Sequence, residues 1–357
     1  MNEILEGIRG LNLGEIEFYK NMAVAPLIGQ SSSLDYIVLE EALKYGLSIN
    51  ETGSVPFLRF TNKSGKEVLI LQGEYVNGGK QNRMVATNIY MAQGFDGNVP
   101  VRCIEHGRWS GSYSPSYGSS GRIASNSIRY AAAVGQQEVW DQVKCLSTAH
   151  NVHTTTDNLG EVYEQRKGNT GEYLSRFGYQ SGKGIVSVMR INGKKIFSLD
   201  LFDKDSTMEK HFKKIVESYA LDASVDAGNL EVSKQEIADF VENVKDASFN
   251  ERKAVSLGRD YSISGKEIEG FALSYNDIAL YTTFTNKKMN KPFVNMPLPY
   301  PEPYPIPESP PWPHPEPWHP HFPPWSPHNP PFGPMIRING SDIIIGDSGG
   351  DWKEKFK

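Results

Sequence analysis

The sequence predicts an α+β fold: mostly antiparallel sheet with packed helices, then a polyproline-II-type arm and a short terminal β-hairpin. Three observations carry this. Short β-forming runs separated by turn residues recur between residues 15 and 285. Segments with helical apolar spacing interrupt them, without the regular strand–helix alternation of a parallel sheet. And 19 of the 23 prolines fall between Pro292 and Pro334, where neither helix nor interior sheet can form, because proline lacks the N–H donor and fixes φ.

The elements follow in order. Ile4, Leu5 and Ile8 share one face of a short helix over residues 2–9. Residues 15–27 read as a strand ended by Pro26. In residues 36–45, Leu39, Ala42 and Leu43 lie on one helical side, with Gly46 placed to terminate it. Pro56–Thr61 alternates as a strand, Asn62–Gly65 turns, and Val68–Gln72 is apolar enough for an inner strand. Gly73–Lys80 reads as a loop in which Gly78 and Gly79 can take positive φ. Met84–Met91 and Val99–Ile104 are strands separated by a turn at Gly94 and Gly97. The Ser/Gly/Tyr stretch of residues 110–127 has no period and reads as a long loop, either a lid beside the preceding segment or disorder.

Helical spacing returns at Gln136–His150, with Val139, Val143 and Leu146 on one face, and more briefly at Leu159–Arg166. Ile185–Ile191 and Lys195–Leu201 around Asn192-Gly193 make the clearest hairpin in the chain. Asp205/Ser206 with Glu209 reads as a capping box opening a helix to about Leu221, its apolar face Phe212, Ile215, Val216 and Tyr219. Ser233 and Glu236 open a further helix over residues 232–244. Strand patterns then run from 253 to 285. The expected organisation is a domain over residues 1–290, an arm over 291–334 and a hairpin with tail over 335–357, the hairpin turning at Asn339-Gly340. Fully extended, the arm would reach on the order of 130 Å.

Net charge is −5 over 357 residues, with acids and bases interspersed. A general nucleic-acid binder needs a basic stripe, so no nucleic-acid partner is expected. No run is long and apolar enough for a membrane span, and no secretory signal opens the chain, so the expectation is a cytoplasmic protein without a membrane partner. Cys103 and Cys145 are too few for a disulfide framework and sit in apolar contexts. Cys103/His106 and His150/His153 are spaced three apart but lack any companion CxxC or HExxH, so no metal is expected. No phosphate-binding loop, dinucleotide fingerprint or nucleophile elbow is present, and no cofactor is indicated.

The polar residues concentrate in GEYVNGGKQNR (73–83) and PVRCIEHGRW (100–109). Glu74 and Glu105 are candidates for acid/base catalysis. Lys80, Arg83 and Arg108 are candidates for holding a phosphate or carboxylate, Gln81 and Asn82 for reading an amide or ribose edge, and Trp109 for stacking a base. The same residues read equally well as structure: Glu74–Arg83 and Glu105–Arg108 as ion pairs pinning two loops, and Trp109 as a core plug.

Three segments resemble the ARPP-1 family, the ADP-ribosylglycohydrolase- and rhodanese-phosphatase-superfamily-associated protein domain: VPFLRFTN (55–62), VLILQGEYVNGGKQNR (68–83) and VPVRCIEHGRW (99–109). FYKNMAVAPLIG, DYIVLEEAL and FDKDSTMEKHFKKIVESYALDA (202–223) add to the likeness, which covers residues 10–285. Tyr75, Asn77, Gly79, Arg102 and His106 depart from the family pattern; Glu74, Lys80–Arg83, Glu105 and Gly107–Trp109 keep it. The resemblance implies a link to ADP-ribose metabolism through the domains the family accompanies, and no particular reaction. On that footing the chain binds or processes an ADP-ribose-like or other phosphorylated small molecule through Glu74, Lys80, Asn82, Arg83, Glu105 and Arg108. The alternative is a structural protein that forms a homo-oligomer or larger assembly through residues 292–345.

Overall fold

The computed structural model describes residues 3–108 and 114–287, together with the backbone of two short strands, Ile336–Ile338 and Ser341–Ile343. Trp109 and the proline-rich arm lie outside the described residues. The chain divides into two units, Met1–Pro299 and Tyr300–Lys357. Within the second, the two short strands pair antiparallel.

The first unit is α+β, with mostly antiparallel strands. Its helices are α1 (Glu3–Ile8), α2 (Leu39–Lys44), α3 (Asn126–Val134), α4 (Gln136–Ala149), α5 (Leu159–Arg176), α6 (Asp205–Ala223) and α7 (Lys234–Glu242). A nine-stranded sheet is built around the hairpin Gly184–Ile191/Lys194–Phe202, with Met22–Ile28 on one side and the four-strand run from Ser248 to Asn286 on the other. Asn192 and Gly193 turn that hairpin at φ 50° and 72°, the positive values a two-residue turn requires. Alternation along Met22–Ile28 sends Met22 and Val24 to one face of the sheet and Ala23, Ala25 and Leu27 to the other. The first face packs under α3–α6 and the second under α1 and α7, so the sheet carries a core on both sides.

Six strands close into a barrel, in the order Asp96–Cys103, Phe57–Asn62, Leu47–Glu51, Ser116–Ile123, Glu74–Gly78, Arg83–Val85. Leu58, Phe60, Ile49, Val76, Val85, Val99 and Val101 form its core, joined by Leu39 and Ala42 of α2. Closure leaves the barrel no free edge.

Several expectations are corrected. Pro26 does not end its strand; it pairs with Ile185 in mid-strand. Its carbonyl accepts from Gly14 N–H at 2.9 Å, so its missing donor points toward the two-residue strand Asn12–Leu13, where little pairing is lost. The run read as a loop at Gly73–Lys80 contains the barrel strand Glu74–Gly78, whose buried residues Glu74 and Tyr75 disguise its apolar face. The run read as a lid or disorder at 110–127 contains the barrel strand Ser116–Ile123, held by main-chain pairing to both neighbours. Only Tyr117 and Ile123 of that strand are fully buried, so no alternation marks it. Met84–Met91 is two strands, Arg83–Val85 and Ile89–Met91. α3 was not anticipated; it buries Asn126, Ser127 and Arg129 along with its apolar residues. α5 extends ten residues past Arg166, through Gly168 and Gly171. The capping box expected at α6 does not form; Asp205 instead accepts from Tyr179 Oη and Gly182 N–H, both at 2.5 Å. The box at Ser233/Glu236 does form.

Candidate functional site

The two motif segments meet where the barrel touches the helical layer. Glu105 follows the barrel strand Asp96–Cys103 and is buried, 2 % exposed. Arg108 Nε donates to both of its carboxylate oxygens at 3.0 Å. Thr156 Oγ1 donates to Oε1 at 2.9 Å and the Asn82 main-chain N–H to Oε2 at 3.0 Å. Arg108, 35 % exposed, also donates to the carbonyls of Gly79 (2.9 Å) and Gly78 (3.4 Å) and to Asn82 Oδ1 (3.2 Å). One guanidinium thus ties the Gly78–Gly79 turn, Asn82 and Glu105 together. The planar fork of arginine suits this division of donors; a lysine has no equivalent geometry.

The glycines are required by close approach. Gly79 has φ 49°, and a Cβ there would lie 2.0 Å from Tyr117 Oη; at Gly78, φ 137°, it would lie 2.3 Å from the Ser116 carbonyl. Tyr117 Oη donates to Glu51 Oε2 at 2.8 Å and to the Gln81 carbonyl at 3.2 Å, which pins the turn from the other side.

The remaining motif residues go inward. Gln81 Nε2 donates to the His106 carbonyl at 2.9 Å and Gln81 Oε1 accepts from Arg83 Nη1 at 2.9 Å. Arg83 is buried and forms no carboxylate ion pair among the described residues, and its Nε has no hydrogen bond. The main-chain N–H of Lys80 donates to Glu51 Oε2 at 3.3 Å. Asn82 Nδ2 donates to Tyr75 Oη at 3.0 Å and to Asn158 Oδ1 at 3.4 Å. Tyr75 and Asn158 in turn line an open cavity of about 410 Å³, with Asn77, Ser120, Arg122 and Glu164 on its other walls. Arg122 there is paired with Glu164 at 2.7 Å and Glu217 at 3.5 Å.

Glu74 does not pair with Arg83. It heads its barrel strand, fully buried, and forms an ion pair with Lys214 of α6. Lys214 Nζ also reaches Glu40 Oε1 of α2 at 2.8 Å, and His211 Nε2 lies 3.6 Å from Glu74 Oε1. Burial favours the neutral acid, but Lys214 and His211 outweigh it and pull the Glu74 pKa down to about 2. Burial also works against the Lys214 ammonium, and Glu74 and Glu40 outweigh it, so that pKa is raised. A second buried network lies nearby: Arg129 of α3 donates to Asp200 Oδ1 and to Tyr281 Oη, both at 3.3 Å, and the Tyr219 and Tyr281 hydroxyls donate to the same carboxylate.

His211 and Lys214 were not among the sequence candidates. A signal for them exists: His211, Lys214, Ser218 and Asp222 fall at helical spacing beside the apolar face of α6, and all four are buried. A polar stripe adjoining an apolar one marks a helix that buries charge. Asp222 accepts from the Ser127 main-chain N–H at 2.9 Å and from its hydroxyl at 2.8 Å, holding the start of α3.

The family model described as "ARG and Rhodanese-Phosphatase-superfamily-associated Protein domain" matches residues 10–285. The chain belongs to the ARPP-1 family. The match takes in every strand of the barrel, α2 to α7 and all the motif residues, so the network around Glu105 and the buried pair at Glu74 both lie inside the ARPP-1 domain. No curated protein and no solved structure matches the chain.

Proposed function

We propose that this ARPP-1 domain binds a small metabolite of the ADP-ribose class in the cavity walled by Tyr75 and Asn158, with the motif residues holding that wall from behind. The observation that carries the reading is the continuous chain from Arg108 through Glu105 and Asn82 to Tyr75 and Asn158, which ends on an open polar cavity. Asn77, Ser120, Arg122 and Asn158 offer the mixture of donors and acceptors that sugar hydroxyls require. The metabolite class comes from the domains the family is named for. In this reading Glu105, Arg108 and Asn82 are positioning residues, and Lys80, Gln81 and Arg83 hold the turn behind them. Binding is favoured over catalysis because the oxygens of Glu74 and Glu105 are engaged by protein donors; acid/base work by either would first require its ion pair to open. Isothermal titration with ADP-ribose, NAD and AMP tests the reading. Heat is expected for at least one ligand, lost in Asn158→Ala and weakened in Glu105→Gln; no heat with any of them sinks it.

A second reading, assembly through the C-terminal region, is favoured by the hairpin Ile336–Ile338/Ser341–Ile343. A sheet of two strands is marginal alone and offers its edges to further strands. Deleting residues 292–357 should lower the number of protomers per particle measured by light scattering; an unchanged oligomeric state defeats this reading.

A further inference from the structure

Lys183 immediately precedes the central strand Gly184–Ile191, with its main chain tied to Leu27 and Phe202. The residue is 9 % exposed, yet among the described residues no hydrogen bond or ion pair reaches its ammonium. Its stem is buried, while its ammonium keeps contact with the solvent of a cavity. Lys183 lines a cavity of about 500 Å³ together with Gly29, Gln30, Ser31, Ser32 and Asp203.

Asp203 is the nearest carboxylate, but its oxygens are turned to other donors, the Tyr36 and Ser32 hydroxyls. The acids at the rim are also taken: Glu6 pairs with Arg9, and Glu3 and Asp277 pair with Arg259. Gly29 presses against the lysine stem. A Cβ there would lie 2.7 Å from Leu11 Cδ2 and 3.3 Å from Lys183 Cε, so a larger residue would have to push those side chains aside. The main-chain N–H groups of Gly29, Gln30 and Ser31 make no hydrogen bond among the described residues. Unpaired main-chain N–H groups on a loop that lines the cavity can donate to an anion.

We propose that this cavity is a second binding site, independent of the Tyr75/Asn158 wall, for the phosphate or carboxylate group of a small molecule, with Lys183 as its ammonium anchor and the Gly29–Ser31 loop as its N–H donors. The bound oxyanion supplies the counter-charge the fold withholds, and the serine hydroxyls and the Gln30 amide give it polar surroundings. Burial lowers the Lys183 pKa, against the pull of the Asp203 charge, which accords with an ammonium awaiting a partner.

The test is competitive amine labelling of the full chain with a trace of acetic anhydride, followed by peptide mass spectrometry, with and without inorganic phosphate or acetate. Phosphate or acetate should slow acetylation of Lys183 roughly tenfold, the effect of a charge-assisted contact, and leave the exposed lysines unchanged. Protection by phosphate alone identifies a phosphorylated ligand, and protection by acetate alone a carboxylate. Phosphate titrated into Lys183→Met should give no heat, while Lys183→Arg keeps part of it. Equal labelling of Lys183 with and without both anions, or unchanged phosphate heat in Lys183→Met, overturns the proposal. Asn158→Ala should not affect the protection, which separates this site from the proposed sugar cavity.

Discussion

Lys214 of α6 and Glu74 of the barrel form a buried ion pair across the junction of barrel and helical layer, and Lys214 extends it to Glu40 of α2. The partners are 140 residues apart in sequence, so the pair exists only once both substructures are formed and docked. Breaking it leaves a charge buried without its counter-charge, which costs about 3–5 kcal/mol, whereas replacing both partners with apolar groups of similar size costs far less. Glu74→Gln is therefore expected to lower the urea-unfolding free energy by about 3 kcal/mol or more, and Glu74→Leu/Lys214→Met to recover most of that loss. An additive double variant would contradict the coupling.

The same pair sets an acid limit. The Glu74 pKa falls from 4.5 in the unfolded chain to about 2 in the fold, so the unfolded state binds the proton more readily. Its contribution is fully present above pH 4.5 and is lost as pH falls toward 2. The slope of stability against pH in that window should be shallower in Glu74→Gln than in the parent protein. Equal slopes would place the acid sensitivity elsewhere.

Asp222 works in the opposite sense. Burial raises its pKa from 3.8 to about 6, although Ser127 and Ser125 partly offset this. The folded state therefore holds the proton more tightly; the stability from this group is present below pH 3.8 and lost as pH rises through 6. Asp222→Asn retains an acceptor for the Ser127 N–H and removes the charge. Its stability relative to the parent should improve between pH 4 and pH 7, read by thermal melts across that range.

Arg83 is a buried guanidinium that has Gln81 as its hydrogen-bond acceptor and, among the described residues, no carboxylate. Exchanging such a charge for an apolar side chain of similar volume is often neutral or stabilising by about 1–4 kcal/mol. Arg83→Met should leave the unfolding free energy unchanged or raised. A loss above about 2 kcal/mol would show that the charge holds the barrel together.

Gly79→Ala should destabilise the KQNR turn, because its Cβ meets Tyr117 Oη at 2.0 Å and φ is 49°. The steric part should vanish in Gly79→Ala/Tyr117→Ala relative to Tyr117→Ala alone, leaving a backbone cost of about 1 kcal/mol. Unfolding curves of the four proteins give the coupling directly.

Much of this protein follows from local patterns alone. The Asn192-Gly193 hairpin, the capping box of α7, the helical face of α4 and the turn glycines at 78 and 79 need only neighbouring residues to specify them. The sequence also determines the kinship, through KQNR and EHGRW, and the i,i+3 pairing of Glu105 with Arg108. Tertiary structure decided what short-range patterns cannot encode. Residues 116–123 are a strand because two barrel neighbours supply main-chain partners, not because their side chains alternate. α3 is a helix whose polar residues are satisfied by Asp222, Asp200 and Ser198 from distant elements. Glu74 pairs with Lys214 and not with Arg83, because α6 packs where Glu74 heads its strand, while Arg83 is turned to Gln81. Lys183 stands unpaired among the described residues because the nearest carboxylate is engaged by two hydroxyls, one from the adjacent loop and one from Tyr36 beyond it. In each case the deciding partner is far away in the chain, and only closure of the barrel and docking of the helices bring it within hydrogen-bonding reach.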